Sequence, residues 1–141
     1  MAEKMILSID DGSLVYEIRN KRDEVTGSFK INADPEIAIR MNDAIDRFNQ
    51  LSYPDPTTDE AALEVIKDFT AEIYNLFNAF LGYNAAPELF SGCSALTEVT
   101  DGDYYFEKVM ENIVNVVCKM TNSRVNKKLA KIRKATAKYR G

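Results

Sequence analysis

The spacing of apolar residues changes part-way along this chain, and that change is the strongest constraint on its fold. Through residues 5–31 apolar and polar side chains alternate, whereas from residue 37 onward apolar side chains recur every three or four positions. A period of two places one face of a strand on a core, and a period near 3.6 places one stripe of a helix there. The 141 residues therefore predict an α+β fold in which strands come first and helices follow.

The alternating part predicts three strands joined as an antiparallel meander within residues 5–31. Their apolar positions begin at Met5, Leu14 and Val25, and turn-forming stretches at residues 10–13 and 20–24 separate them. The first turn contains an Asp-Gly pair, a strong hairpin signal. A three-stranded sheet of this size is not stable alone, so we expect it to pack on helices.

Three long helices are predicted, and we expect them to form a three-helix bundle under the sheet. They cover residues 35–51, 58–81 and 103–121, and the last is expected to continue into the C-terminal residues. Residues 83–102 are irregular apart from one short helical turn near residues 86–90. The domain organisation is thus a single α+β domain over residues 1–121, followed by a basic tail over residues 122–141 that is either helical or frayed.

Residues with known capping preferences mark the ends of these helices. Asp34 can accept hydrogen bonds from the first free amides, and Pro35 suits the first helical position. The sequence Thr-Thr-Asp-Glu at residues 57–60 has the form of a capping box, and Gly82 can end the second helix in a left-handed conformation. Asp103 is expected to cap the third.

Several residue types needed for common enzyme chemistry are missing. The chain has no histidine, and its six glycines form neither a phosphate-binding loop nor a dinucleotide-binding turn. Cys93 and Cys118 are too few for a structural zinc site, and two buried thiols are favoured over a disulfide. We therefore expect a protein that is not an enzyme, with no catalytic residue, cofactor or metal ion.

A cluster of carboxylates near the start of the third helix is the strongest candidate for a metal site. It comprises Glu98, Asp101, Asp103 and Glu107, but the spacing departs from that of a calcium-binding loop. Turn formation and helix capping account for both aspartates without a metal, so these roles are favoured. The pair Asp10-Asp11 is likewise interpreted as part of a turn.

Charge is strongly segregated along the chain. Residues 1–120 hold 10 basic and all 22 acidic residues, a formal charge of −12, whereas the tail carries +8. The eight basic residues of the tail, which we take as candidate partner-binding residues, are Arg124, Lys127, Lys128, Lys131, Arg133, Lys134, Lys138 and Arg140.

A basic amphipathic tail has several possible roles, which the sequence leaves open. It can dock on an acidic protein, including the body of a neighbouring copy, neutralise nucleic-acid phosphates, or lie on an anionic membrane. The same cations also suit a helix C-terminus that has no partner. Among the partners a protein is favoured, because Tyr139 is the only aromatic residue of the tail and no Trp, Phe or cluster of Leu is present for stacking or membrane insertion.

In style the chain resembles small proteins of tailed bacteriophages and prophages of Gram-positive bacteria, of the tail assembly chaperone type. The resemblance lies in a strand-rich opening, IDDGSLVYEIRNKRDEVTGSFKIN, that leads into the capped helix ADPEIAIRMNDAIDRF. Near the other end it lies in DGDYYFEKVMENIVNVV followed by the basic KKLAKIRKATAKYRG. It covers most of the chain without a diagnostic motif, so no functional residue is carried over.

The resemblance implies a non-enzymatic phage structural or tail-assembly protein that acts through protein–protein contacts. Its partners would be other phage structural proteins, such as a helical tape-measure protein, and further copies of itself. We expect it in the cytoplasm of the bacterial host or in the virion, and not in a membrane. The alternative is a nucleic-acid-binding accessory protein that uses the basic C-terminal helix.

Overall fold

A β-hairpin followed by four helices makes up the part of the chain that the structure describes. This structure is a computed structural model and describes residues 3–32, 34–54 and 60–121. The elements in chain order are β1 (Ser13–Arg19), β2 (Val25–Asn32), α1 (Glu36–Asn49), α2 (Glu60–Leu81), α3 (Ala86–Leu89) and α4 (Tyr105–Met120). The α+β fold expected from the change in apolar spacing is therefore confirmed.

The predicted three-stranded meander is wrong by one strand. Among the described residues the sheet contains two strands, β1 and β2, which pair antiparallel with Tyr16 opposite Phe29. Residues 20–24 form the predicted connection. Within it, Asp23 adopts a left-handed backbone conformation (φ +63°). Residues 5–9, which carry the pattern of a first strand, lie outside both strands and pair with neither β1 nor β2.

The long helices follow the predicted ranges with small changes at their ends. In α1 the Asp34 carboxylate accepts a hydrogen bond from the Ile37 amide at 3.0 Å, as the sequence predicts. Gly82 follows α2 with φ +78°, and its amide donates to the Asn78 carbonyl at 2.9 Å, which confirms the left-handed cap. The capping box expected at residues 57–60 concerns side chains outside the described residues.

The helical layer differs from a simple three-helix bundle because α3 and its flanking loops also enter the core. The short helix α3 contacts both β2 and α2, and its Leu89 is fully buried. The largest fully buried side chains come from β2 and all four helices: Phe77, Phe80, Phe106, Ile31, Ile37, Met41, Ile73, Leu76, Leu89, Ile113 and Val117. One apolar core therefore joins the hairpin to the helices.

The hairpin is attached to the helices through β2. Phe29 and Ile31 point into the core, and the Thr26 hydroxyl shares a 2.8 Å hydrogen bond with the Tyr105 hydroxyl of α4. At Gly27 the strand passes so close to the Leu89 carbonyl that a Cβ atom would overlap it. β2 is thus in direct contact with α3 and α4, while β1 lies on the outer side of the hairpin.

Candidate interaction surface

The N-terminal segment, which we define as residues 5–9, is the most exposed apolar stretch among the described residues. Met5, Ile6, Leu7 and Ile9 have relative exposures of 92%, 88%, 84% and 81%. Complete burial of one such side chain stabilises a protein by about 1.5–3 kcal/mol. Four large apolar side chains exposed together are typical of a surface that binds another protein.

The turn that follows this segment has an ordered local structure. The Gly12 amide donates to the Asp10 carboxylate and the Ser13 amide to the Asp11 carboxylate, both at 2.9 Å. Gly12 has φ +73°, a conformation that glycine adopts without steric cost. Hydrogen bonds from the Ser13 side chain and amide lower the pKa of the Asp11 carboxyl. Asp10 and Asp11 are therefore used in a turn, as the sequence indicates.

The outer edge of β1, which we call the open edge, lies next to this turn. Among the described residues β1 pairs with β2 alone, and no further backbone hydrogen bond joins Ser13–Ile18 to another segment. Side chains on both faces of the strand are partly in water, since Leu14 is 49% exposed and Val15 73%. An edge strand with unpaired amides and carbonyls can accept a strand from another chain.

The opposite edge of the sheet is covered. The Gly92 amide donates to the Thr26 carbonyl at 2.9 Å, and the Tyr83 hydroxyl accepts a 2.7 Å hydrogen bond from the Lys30 amide. The Lys30 ammonium also lies 5.4 Å from the centre of the Tyr83 ring. These contacts occupy the β2 side of the hairpin, so the open edge of β1 is the accessible one.

All eight basic residues predicted to bind a partner fall in residues 122–141, outside the described residues. The structure therefore places none of them relative to the N-terminal segment or the open edge. α4 ends at Met120, and the Thr121 amide donates to the Val117 carbonyl at 3.0 Å. The charge contrast between the acidic body and the basic tail stays a feature of the sequence.

Two members of the carboxylate cluster before α4, Asp101 and Asp103, pair with a lysine. The Lys108 ammonium lies 2.6 Å from an Asp101 carboxylate oxygen and 3.2 Å from one of Asp103. Its hydrogen bond to Asp101, followed by that to Asp103, raises the pKa of Lys108. Within the described ranges no group of three His, Cys, Asp or Glu residues is arranged to hold a metal ion.

Asp103 does not cap α4, so that prediction is wrong. The Glu107 carboxylate instead turns back and accepts a hydrogen bond from the Tyr104 amide at 2.9 Å. Glu107 is buried, and its backbone amide bonds to the Tyr104 carbonyl. The helix therefore starts two residues later than predicted, at Tyr105, and the Tyr105 and Phe106 amides that Asp103 would cap donate instead to the Thr97 and Ala95 carbonyls.

Two surface cavities accompany the packing of α1 on α2. One of about 410 Å³ is lined by Arg40, Asp43, Arg47 and Phe80 among others, and one of about 210 Å³ by Lys30, Asp34, Arg40 and Tyr83 among others. Arg40, common to both, donates from Nε to the Phe80 carbonyl at 2.9 Å. Its other nitrogens lie 3.5 Å from the Asp34 carboxylate and 3.7 Å from that of Glu36. This guanidinium is thus used to hold α1 against the end of α2.

Cys93 and Cys118 are both thiols, and Cys118 is buried. No helix in the described part of the chain has the length and apolar character needed to cross a membrane.

Comparisons with known proteins give no match of any kind. No family model, curated protein or solved structure is similar enough to this chain to be assigned as a relative. The candidate site therefore depends on geometry alone. Neither the open edge nor the exposure of the N-terminal segment was predicted, because alternation indicates a strand without showing whether that strand has a partner in the same chain.

Proposed function

We propose that this chain is a non-enzymatic structural or assembly protein of a tailed phage or prophage, and that it acts through protein–protein contacts. The observation that carries the proposal is the exposed apolar N-terminal segment beside the open edge of β1. Together they offer a binding surface made of both side chains and backbone. Its place of action is the host cytoplasm or the virion.

The physical argument for a protein partner is the chemistry of this surface. Apolar side chains gain free energy when another apolar surface removes them from water. Free amides and carbonyls of an edge strand gain hydrogen bonds when an extended chain is added beside them. A partner protein provides both at once. Self-association meets these requirements without any second kind of protein.

Electrostatic attraction is a second contribution to binding between proteins. An acidic body with a formal charge of −12 and a basic tail of +8 attract one another between copies, and the tail can equally dock on an acidic helix of another phage protein such as a tape-measure protein. This attraction acts over a Debye length of about 8–10 Å at moderate salt concentration. It therefore favours assembly that weakens as salt is added.

The same eight cations support a second candidate function, binding to nucleic acid. A protein that contacts six to ten phosphates loses roughly 10³–10⁵-fold in affinity between 50 and 200 mM salt. In that case the tail would be the binding site, and the N-terminal segment would have no effect on affinity.

One experiment separates the two functions. Sedimentation velocity of the full chain at 50 and 200 mM salt is compared with that of a matched full-length variant in which the eight tail residues are glutamine. Fluorescence anisotropy with labelled single- and double-stranded DNA and RNA is recorded under the same conditions. We expect self-association that weakens with salt and with the glutamine variant, without tight nucleic-acid binding. A monomeric chain that binds nucleic acid with a steep salt dependence would replace the proposed function with the second one.

A further inference from the structure

The N-terminal segment and the open edge of β1 are complementary to each other. In β1, Leu14, Tyr16 and Ile18 lie on the face directed toward the core, and Val15 is the one large apolar residue on the other face. If the N-terminal segment forms a strand, its alternation puts Met5, Leu7 and Ile9 on one face, with Ile6 as the one large apolar residue on the other. The two stretches therefore have the same alternation on both faces.

We propose that the N-terminal segment of one copy pairs as an antiparallel third strand with the open edge of β1 in a second copy. This inference rests on the proposed function, because it takes the N-terminal segment and the open edge as a protein-binding surface and names a second copy of the chain as the partner. It goes further by assigning the two stretches that meet and their direction.

The side chains indicate one register for this pairing. Placing Ile6 opposite Val15 brings the two outward apolar residues together, and it places Leu7 opposite Leu14 on the inner face. The same register sets Lys4 opposite Glu17, which gives an opposite-charge pair at the end of the strand. Leu14, which is 49% exposed, gains an apolar neighbour.

The local structure favours pairing of the N-terminal segment with a second copy over pairing within its own chain. Two aspartate–amide hydrogen bonds hold the turn at residues 10–13, and the large apolar side chains of the N-terminal segment before it are more than four-fifths exposed. The connection between the two stretches is short. Short connections promote exchange of identical elements between protomers, since the same pairs then form between chains.

Each copy has one donor segment and one acceptor edge. Reciprocal exchange satisfies both in a two-fold dimer, whereas one-directional exchange produces a head-to-tail chain. Both arrangements contain the same strand pair, and the same cross-link detects it.

The test is a disulfide cross-link between two full-length variants. One carries Ile6→Cys and the other Val15→Cys, each with Cys93→Ser, while the buried Cys118 is kept. Positions directly opposite in an antiparallel pair have Cβ atoms about 4.5–5.5 Å apart, close to what a disulfide requires. The two variants are mixed, oxidised mildly and examined on a non-reducing gel. The matched control replaces Val15→Cys with Val25→Cys, an exposed valine on the other strand of the hairpin.

We expect a product at twice the monomer mass in the Ile6→Cys and Val15→Cys mixture, and its absence from the control mixture. A double variant, Ile6→Cys with Val15→Cys in one chain, tests for pairing within a copy. An internal disulfide there, with no product in the mixture, would overturn the proposal in favour of an intramolecular strand. Equal cross-linking of Val15→Cys and Val25→Cys would also overturn it.

A second measurement does not depend on cysteine chemistry. Ile6→Pro removes the amide that faces Val15 in this register, and Glu3→Pro, the control, places a proline just before the N-terminal segment. We expect the first variant to sediment as a smaller species than the second. If the unmodified chain self-associates but the cross-link does not form and Ile6→Pro has no effect, the strand exchange is wrong while the proposed function stands. If the unmodified chain is monomeric, the strand exchange is wrong, and the nucleic-acid assay decides the proposed function separately.

Discussion

The N-terminal segment and β2 have the same alternating pattern and opposite surroundings. Ile31 in β2 is 2% exposed, whereas Leu7 in the N-terminal segment is 84% exposed. β2 lies between β1 on one side and α3 with α4 on the other, and the N-terminal segment has no such neighbours among the described residues. The difference shows that alternation makes a stretch able to form a strand, and that contacts from elsewhere in the fold determine whether it is buried.

The difference in burial between the two stretches can be tested by truncating one side chain in each. Ile31→Ala leaves a cavity in the core and is expected to lower the free energy of unfolding by about 2–5 kcal/mol. Leu7→Ala removes an exposed side chain and is expected to change it by less than about 0.5 kcal/mol in the monomer. Urea denaturation at low protein concentration measures both. Equal losses would mean that the N-terminal segment is packed on its own chain.

A glycine substitution tests how closely the backbone of β2 packs against α3. Gly27 lies against the Leu89 carbonyl, whereas nothing lies within 4 Å of a Cβ placed at Gly12. Gly27→Ala is therefore expected to force β2 and α3 apart at a cost of about 1–3 kcal/mol. Ser28→Ala, on the neighbouring residue, is the control for a change of side chain in the same strand. Thermal denaturation of both variants checks the result, and a Gly27→Ala protein as stable as the control would contradict the close contact.

The smallest expected effect concerns the hydrogen bond between Tyr105 and Thr26. Tyr105→Phe removes it and is expected to cost about 0.5–1.5 kcal/mol. Burial raises the pKa of the Tyr105 hydroxyl above its ordinary value of 10.0, although the hydrogen bond to Thr26 lowers it in part. Because the folded pKa is the higher one, the contribution to stability is complete below pH 10.0 and is lost as pH rises through the folded value.

Denaturation of the wild-type and Tyr105→Phe proteins between pH 8 and 11 checks that pH dependence. The substitution is expected to reduce the alkaline loss of stability, since the phenylalanine ring has no proton to release. Tyr74→Phe, on a half-buried tyrosine that stacks on Phe90, is a suitable control. An identical alkaline slope in the wild-type and Tyr105→Phe proteins would show that Tyr105 is not the group responsible.

Features that depend on neighbouring residues were predicted well. The Asp34 hydrogen bond at the start of α1 and the left-handed Gly82 after α2 involve atoms within four positions along the chain. The capping role of Asp103 was predicted wrongly because the Tyr105 and Phe106 amides donate to the carbonyls of Thr97 and Ala95, in a loop that the local sequence does not place beside them. Leu63 also has the helical spacing of the buried residues of α2, yet it is 61% exposed.

The candidate site was predicted less completely than the fold. The basic tail was recognised from charge alone, and it lies outside the described residues. The open edge of β1 could not be recognised, because a predicted third strand would have covered it. An unpaired edge is a property of the whole sheet, so it cannot be identified from the sequence of one strand alone.

The sequence by itself determined the order of strands and helices, the helix ends set by Asp34 and Gly82, and the separation of acidic from basic charge. These follow from interactions between residues close together in the chain, or from composition. Only the tertiary structure decided that β2 is the buried strand, that α3 packs against Gly27, and that the N-terminal segment remains in water. Burial depends on which distant segments come together. A local pattern of apolar residues shows only that a segment can be buried, and it does not show which segment covers it.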